Sequence, residues 1–504
     1  MIEKNTHHIK PECISEIVTL IVLVAYSLFI EKMLRDFDYS KNITLGFFLL
    51  VIPAYFYIIY NSFQHHKPIG FISIFLILSI YFYYGQYIVT LTDYSDVLYQ
   101  KYISLNNGKI DNKCVIRAYY MLFRSLLVLY LGYYVYRYMK NSRSEGQNDL
   151  KDDIEIIIPR KYETISLIIF TISSICEFVV LARNATMGNY LELRAVDSEI
   201  YRFSSGNILF YFGYFSKWFL PSSMMLLILY ALKKDKKYYM ILLALSVFTI
   251  LYVRTGARYM IVKMLFSCFI IHHYFYRRFT KRDFVVIVAF LLFTIPLMQI
   301  LTVARAVGPV SIESISAETK NISSDLFFEI LSTGGASISL ANTLQYCPSL
   351  VDHQYFVFFY KMFANVLPTF LNPIRELSMT TTSSIFSPLL YNYEGNGYGS
   401  SFITEAYYSW GKYMYIYVFF FGFLLGYLQS KLDFNRKTMH IFGIFSSILL
   451  FSDFIYALRN DVFETFRSYL YCVVFPLFLI TILSDRESYI INTKTSIKGN
   501  EKLN

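Results

Sequence analysis

Arg254-Thr-Gly-Ala-Arg258 sets two guanidiniums four residues apart around a glycine. If a helix continues through the segment the two share a face, and Gly256 permits close backbone approach. That pattern suits a phosphate or diphosphate. Arginines at a membrane surface also anchor helices to lipid headgroups, so both uses stay open. Arg305 adds a further cation, and Arg459-Asn-Asp-Val-Phe-Glu-Thr-Phe-Arg467 adds Arg459 and Arg467. Within that last segment Asp461, Glu464 and Arg467 recur at helical spacing, where a local ion pair is the competing reading and carries little energy.

A second constellation runs from Gly397 to Gly411. Glu405 follows a Gly-Tyr-Gly-Ser-Ser turn and precedes Ala-Tyr-Tyr-Ser-Trp-Gly411. A carboxylate held among tyrosines and Trp410 suits a general base for a sugar hydroxyl, provided burial keeps it basic enough for the task. The other reading is a first-turn helix carboxylate stabilised by the helix dipole. Asp461 is the second candidate base. Tyr398, Tyr407 and Trp410 offer aromatic faces to a sugar ring. Asp36-Phe-Asp38 would serve a metal-assisted version, but such a pair arises often by chance. His65-His66 and His272-His273 lie at the ends of apolar runs and form no metal set. With no Gly-rich nucleotide loop and no nucleophile triad, the sequence predicts neither a metal nor another cofactor.

These residues have to be positioned by a membrane scaffold. The chain is 55% hydrophobic, 19% aromatic and only 16% charged, a combination that excludes an ordinary soluble domain. Twelve apolar runs are long enough to cross about 30 Å of hydrocarbon at about 1.5 Å per residue. They lie near 14–30, 43–60, 69–89, 115–136, 163–181, 208–232, 238–253, 259–275, 284–301, 413–428, 440–455 and 468–483. The net charge of +10 sits in short connectors, as the positive-inside rule requires, and so does not imply nucleic acid. Lys233 to Lys237, Arg277 to Arg282, Lys431 to Lys437 and the basic residues between Arg137 and Lys161 share one face if both termini are cytoplasmic.

The expected organisation is all-α and polytopic. Membrane helices occupy 1–140, 163–301 and 413–483; 141–162 is a flexible cytoplasmic linker and 484–504 a mobile cytoplasmic tail. The interval 302–412 is a large extracytoplasmic loop, and it holds eight acidic residues against five Lys or Arg, the balance expected of a translocated segment. Within it, 325–346 and 354–367 read as interfacial or re-entrant helices, and the count becomes fourteen if both span. Arg124 and Lys217 fall about 15 Å down their helices, at ten residues from the outer ends, where a charge faces a cavity or a partner. Glu177 and Lys263 either snorkel or pair. Six dispersed cysteines lack metal or redox spacing; Cys114 and Cys347, both on the outer side, are the one pair a disulfide would join.

Four segments, Arg254 to Arg258, Ser332-Thr-Gly-Gly-Ala-Ser-Ile-Ser-Leu-Ala-Asn-Thr-Leu344 before Pro348, Gly397 to Gly411, and Leu458-Arg459-Asn460, together with the large penultimate outer loop, resemble the bacterial oligosaccharide repeat-unit polymerases of the Wzy type. The resemblance spans roughly Tyr201 to Leu483. Where many relatives carry Arg-Gly this chain has Arg459-Asn460. The resemblance implies a bacterial inner-membrane glycosyltransferase with a GT-C-like architecture. It would transfer a growing glycan from undecaprenyl diphosphate to a lipid-linked repeat unit, with membrane lipid and a chain-length regulator as partners. It implies Arg254, Arg258, Arg305, Arg459 and Arg467 at the diphosphate and Glu405, then Asp461, as base. A lipid-linked oligosaccharide flippase and a ligase are the neighbouring alternatives; His353 would serve the ligase.

Overall fold

The structure, a computed structural model, describes residues 11–65, 70–89, 110–144, 153–186, 208–255, 258–277, 336–355, 360, 382, 385–386, 389, 400–432, 438–483 and 488–494. Six described helices are long and apolar enough to cross a membrane, within Ile14–Met33, Lys41–Asn61, Asn112–Lys140, Tyr162–Arg183, Phe212–Lys233 and Phe402–Leu432. Five shorter apolar helices fall on the other predicted runs, except 284–301, which lies outside the described residues.

In chain order the elements begin with α1 (Pro11–Met33), α2 (Tyr39–Gly46), α3 (Ile52–His65), α4 (Phe71–Val89) and α5 (Asn112–Ser144). After β1 (Asp153–Pro159) come α6 (Tyr162–Thr186), α7 (Ile208–Ser216), α8 (Phe219–Lys233), α9 (Lys237–Thr255) and α10 (Arg258–Ile271). Then follow α11 (Ala336–Tyr346), α12 (Phe402–Trp410), α13 (Met414–Leu432), β2 (Thr438–His440), α14 (Ile441–Ala457), α15 (Val462–Tyr469), α16 (Phe475–Leu483) and β3 (Ser488–Lys494). Chain contacts divide these into two interleaved units, one of residues 1–150, 330–433 and 454–467, the other of the remainder.

The first unit is built on α5 and α13. With 33 residues, α5 is about 50 Å long, more than a bilayer core requires. A Cβ on Gly132 would lie 2.1 Å from the Phe419 carbonyl oxygen, and one on Gly422 would lie 1.9 Å from that of Leu129. Gly422 and Gly426 form a small-xxx-small seam that lets the two backbones touch, the packing device of helices in lipid. Gln429 Oε1 accepts from the Phe71 N–H at 2.7 Å and so caps the start of α4. Helix α11 is buried from Ala336 to Leu344, against α5, α12 and α4. Its described part is therefore packed inside the first unit; 325–335 lie outside the described residues. Most of 354–367 lies outside the described residues.

The second unit contains α6 to α10, α16 and most of α14. Its α7–α8 pair is one membrane run broken at Lys217–Trp218. Pro221 lacks an N–H for the Lys217 carbonyl and crowds it, which accounts for a break four residues earlier. Trp218 Nε1 donates to the Tyr471 carbonyl at 3.1 Å and fixes the break in place.

This unit also corrects the all-α expectation. The predicted flexible linker supplies β1, the predicted mobile tail supplies β3, and they pair antiparallel from Asp153 opposite Lys494 to Pro159 opposite Ser488. β2 lies parallel on the other side of β1. The Ile-rich β1 suits a half-buried pleated strand: Ile156 and Ile158 are buried on one face, and Pro159 ends it.

Deep charges are partnered. Arg124 donates to Glu31 at 2.5 Å and to the Tyr415 hydroxyl at 3.2 Å. Lys263 is paired with Asp453, and Glu177 accepts from the Tyr252 hydroxyl at 2.7 Å. Glu177 and Lys263 are buried, not snorkelled. Lys217, at the break, is exposed and lies over the Tyr214 ring.

Candidate active site

Both candidate bases lie in the first unit, and they meet. Ser401 caps α12 by accepting from the Thr404 N–H at 3.1 Å, which starts the helix there and puts Glu405 in its first turn. Glu405 Oε2 in turn accepts from the Val462 N–H at 2.6 Å, at the first residue of α15. The same carboxylate thus faces the positive ends of two helices, which makes a charge that is only 3% exposed tolerable.

Asp461 immediately precedes α15 and is 1% exposed. Its Oδ2 accepts from the Thr382 N–H at 2.7 Å and its Oδ1 from the Thr382 hydroxyl at 2.5 Å. That hydroxyl also meets Ser400 Oγ. The Ser400 N–H donates to the Arg459 carbonyl at 3.0 Å, so the strand entering α12 is tied to the turn between α14 and α15. The Tyr417 phenol on α13 lies within electrostatic reach of both carboxylates. Two buried acids, two helix N-termini and three hydroxyl side chains make a compact hydrogen-bonded knot.

Arg459 lies on the same turn, half-buried, and among the described residues its guanidinium has no ion-pair or hydrogen-bond partner. A cation on this turn that is spent on neither carboxylate remains available to an external anion.

Tyr407 and Trp410 share α12 with Glu405 but turn elsewhere. Tyr407 is buried; its hydroxyl donates to the Cys347 carbonyl at 3.4 Å and its ring meets His353 edge-on. Trp410 is half-buried at the helix end. There Gly411 takes a φ of +52°, and a Cβ would lie 3.1 Å from His353 Nε2, so a side chain would be strained by conformation and crowded by the His353 ring. His353 Nδ1 faces the Tyr408 carbonyl and Cys347 Sγ. Cys114 and Cys347 are free thiols, which removes the disulfide.

In the second unit Arg254 stands one residue before the end of α9 and Arg258 opens α10. Gly256 and Ala257 between them lie outside the described residues. The side chains of Arg254, Arg258 and Arg467 lie outside the described residues, as do Arg305 and Tyr398 entirely. Asp38 precedes α2 without a side-chain cap, and Asp36 and Asp38 are both exposed. Among the described residues no three His, Cys, Asp or Glu side chains are grouped as a metal would require.

Thr382, Ser400 and Tyr417 escaped the sequence reading. The hydroxyl-rich run Ser378 to Ser384 was a usable signal, since so many hydroxyls beside buried segments need acceptors.

A family model described as O-antigen polysaccharide polymerase Wzy matches residues 12–487. No curated protein and no solved structure matches the chain.

Proposed function

Since the chain belongs to the O-antigen polysaccharide polymerase Wzy family, a family of multi-pass membrane proteins that act on oligosaccharide repeat units, we propose that it is a glycosyltransferase. It joins undecaprenyl-diphosphate-linked repeat units on the outer face of the bacterial cytoplasmic membrane, with both termini inside. The hydroxyl at the non-reducing end of the incoming unit attacks the anomeric carbon of the growing glycan. The new glycosidic C–O bond forms as the bond to diphosphate breaks, the electron pair leaves with undecaprenyl diphosphate, and the hydroxyl proton passes to a carboxylate.

The observation that supports the residue assignment is the meeting of Glu405 with the Asp461–Val462 helix start, on the turn whose Arg459 guanidinium has no partner among the described residues. Glu405 is the base of first choice: both oxygens of Asp461 already accept from Thr382, which suits a clamp better than a base. Arg459 supplies positive charge to the diphosphate, and Arg254, Arg258, Arg305 and Arg467 serve the same leaving group, whose charge grows in the transition state. Of the aromatic faces offered to a sugar, Tyr398 is assigned to its path, whereas Tyr407 and Trp410 turn away from Glu405 and would serve a more distant part of the glycan. A chain-length regulator is the expected protein partner. The family match argues against the flippase and the ligase.

The test is the size distribution of surface polysaccharide in a strain lacking the gene, with and without its restoration. A single repeat unit in the deletion and a ladder on restoration support polymerisation. Lipid-linked units trapped on the cytoplasmic side would mean a flippase, and long polymer left on its carrier a ligase. Arg258→Ala should abolish the ladder with normal protein in the membrane; wild-type chain lengths would remove Arg258 from the site.

A further inference from the structure

The ends of three helices of the first unit meet around Tyr407. The Asp111 N–H, just before α5, donates to Gln345 Oε1 near the end of α11 at 2.8 Å. The Tyr407 hydroxyl ties the last turn of α12 to the Cys347 carbonyl just past α11. His353 is half-buried beside them, its ring 5.1 Å from that of Tyr407. Its Nδ1 faces the Tyr408 carbonyl at 3.3 Å and Cys347 Sγ at 3.2 Å. A carbonyl only accepts, so the ring proton belongs on Nδ1 and Nε2 is left as a bare acceptor.

Among the described residues neither Nε2 nor the Tyr355 hydroxyl has a hydrogen-bond partner. Both stand at the cleared face of Gly411, 3.1 and 3.2 Å from the place a Cβ would take. With no side chain there, a ligand can come close to the backbone beside these two polar atoms. The Tyr355 ring is 50% exposed and lies 5.8 Å from the imidazole. Arg117, exposed near the start of α5, makes no ion pair or hydrogen bond among the described residues and lies within electrostatic reach of the Tyr407 phenol.

Exposed polar groups are ordinarily satisfied by water. These converge, and the imidazole is held along its other edge, so its acceptor keeps one direction at little further cost in order. A sugar ring offers hydroxyls around its rim and an apolar face. A bare acceptor, a phenol that donates and accepts, a guanidinium donor and an exposed aromatic face match that pattern. A phosphate, which only accepts at its charged oxygens, would find no donor in Nε2. Gly411 follows Glu405 by six residues of α12, about 9 Å along the helix, more than the length of a single sugar ring.

We infer that His353, Tyr355 and Arg117 form a sugar subsite over Gly411, which holds the lipid-linked repeat unit at a ring beyond the reacting hydroxyl. The inference rests on the glycosyltransferase reading above and gives the more distant part of the glycan its polar contacts.

The experiment uses the full chain in nanodiscs and lipid-linked repeat units extracted from the deletion strain. Tyr355→Phe removes one exposed hydroxyl. His353→Asn keeps a donor at the place of Nδ1 and removes Nε2, whereas His353→Gln returns an amide to the place of Nε2. In Tyr355→Phe and His353→Asn, KM should rise about tenfold, the size of one lost hydrogen bond, while kcat stays within about twofold. His353→Gln should recover most of that loss. The repeat-unit oligosaccharide freed from its carrier should inhibit the wild type and bind these two variants more weakly, whereas undecaprenyl diphosphate should inhibit all alike. Wild-type KM in both variants, with polymer formed by the wild type, would overturn the subsite and leave the glycosyltransferase reading standing. A kcat at least about a hundredfold lower in His353→Asn at unchanged KM would also overturn it, by moving His353 into the chemistry. No polymer from the wild type would overturn both readings.

Discussion

The carboxylate of Glu405 accepts a 2.6 Å hydrogen bond from the backbone N–H of Val462, the residue that follows Asp461. Two acids 56 positions apart in the chain are thereby gathered at one helix start, one as an acceptor for that start and the other in the position before it. The contact gives Glu405 a structural duty whether or not it also moves a proton, so its two roles have to be separated by experiment.

Glu405→Gln separates them. The amide oxygen still accepts from Val462 N–H, but the charge and the proton acceptor are gone. If Glu405 is the base, polymerisation should fall by about 10²–10⁴-fold, the usual worth of general-base catalysis, with wild-type amounts of protein in the membrane. If it only caps α15, Glu405→Gln should polymerise normally, and Glu405→Ala should show a modest loss of stability, about 1 kcal/mol. Incorporation of labelled repeat units into polymer by purified protein reads the difference, and a normal rate in Glu405→Gln would retire the base assignment.

Asp461 and Thr382 make a different prediction. Asp461→Asn turns one of two acceptors into a donor facing a donor, and Thr382→Val removes a hydroxyl from a buried carboxylate. Each should cost about 1–3 kcal/mol, the penalty for leaving a buried partner unsatisfied. The unfolding temperature followed by intrinsic fluorescence should fall in both variants. Activity should survive in proportion to the folded protein, because the pair clamps two chain segments and does not touch the acceptor. A catalytic collapse in Thr382→Val at unchanged stability would move Asp461 from clamp to base.

Eleven of the twelve apolar runs were legible as helices because lipid admits few solutions: a backbone crossing hydrocarbon has to satisfy its own hydrogen bonds. The candidate site was legible in its ingredients and not in its connections. Glu405, Asp461 and Arg459 stand out by type, but nothing local shows that Val462 N–H needs a partner from α12, or that Thr382 supplies both donors to Asp461. The sheet failed for another reason. β1 and β3 sit within charged, polar stretches whose composition resembles a linker and a tail, and neither strand is stable until the other covers it. Gly422-x-x-x-Gly426 was visible as a spacing, but its meaning depends on Gly132 facing it from another helix.

Cys347 carries the pH prediction. Burial, helped by the negative charge of Asp352, pushes its thiol up to about 12, whereas a free cysteine titrates at about 8.5. The folded state therefore holds the proton more tightly than the unfolded one. The stabilisation this provides is complete below about pH 8.5 and is lost as pH rises toward the folded value. A maleimide, which attacks only the thiolate, should label Cys347 far more slowly at pH 8 than after unfolding, and a non-reducing gel should show no link to Cys114. Rapid labelling of Cys347 in the folded protein would contradict the burial.

A matched pair of glycines tests the central packing. Gly422 and Gly443 both lie within membrane helices, so helix propensity alone predicts that alanine improves each, by up to about 1 kcal/mol. The surroundings differ. A Cβ on Gly422 would lie 1.9 Å from the Leu129 carbonyl oxygen, and that atom is backbone of α5 and cannot rotate away, whereas a Cβ on Gly443 meets nothing within 4 Å. Gly422→Ala has to part α5 from α13 along a seam that depends on close approach. It should cost more than the about 1–3 kcal/mol typical of an overpacked core. Gly443→Ala should accumulate in the membrane at or above the wild-type amount, and Gly422→Ala well below it, with the surface polysaccharide ladder lost in parallel. Equal accumulation of the two variants would mean that α5 and α13 do not pack backbone to backbone.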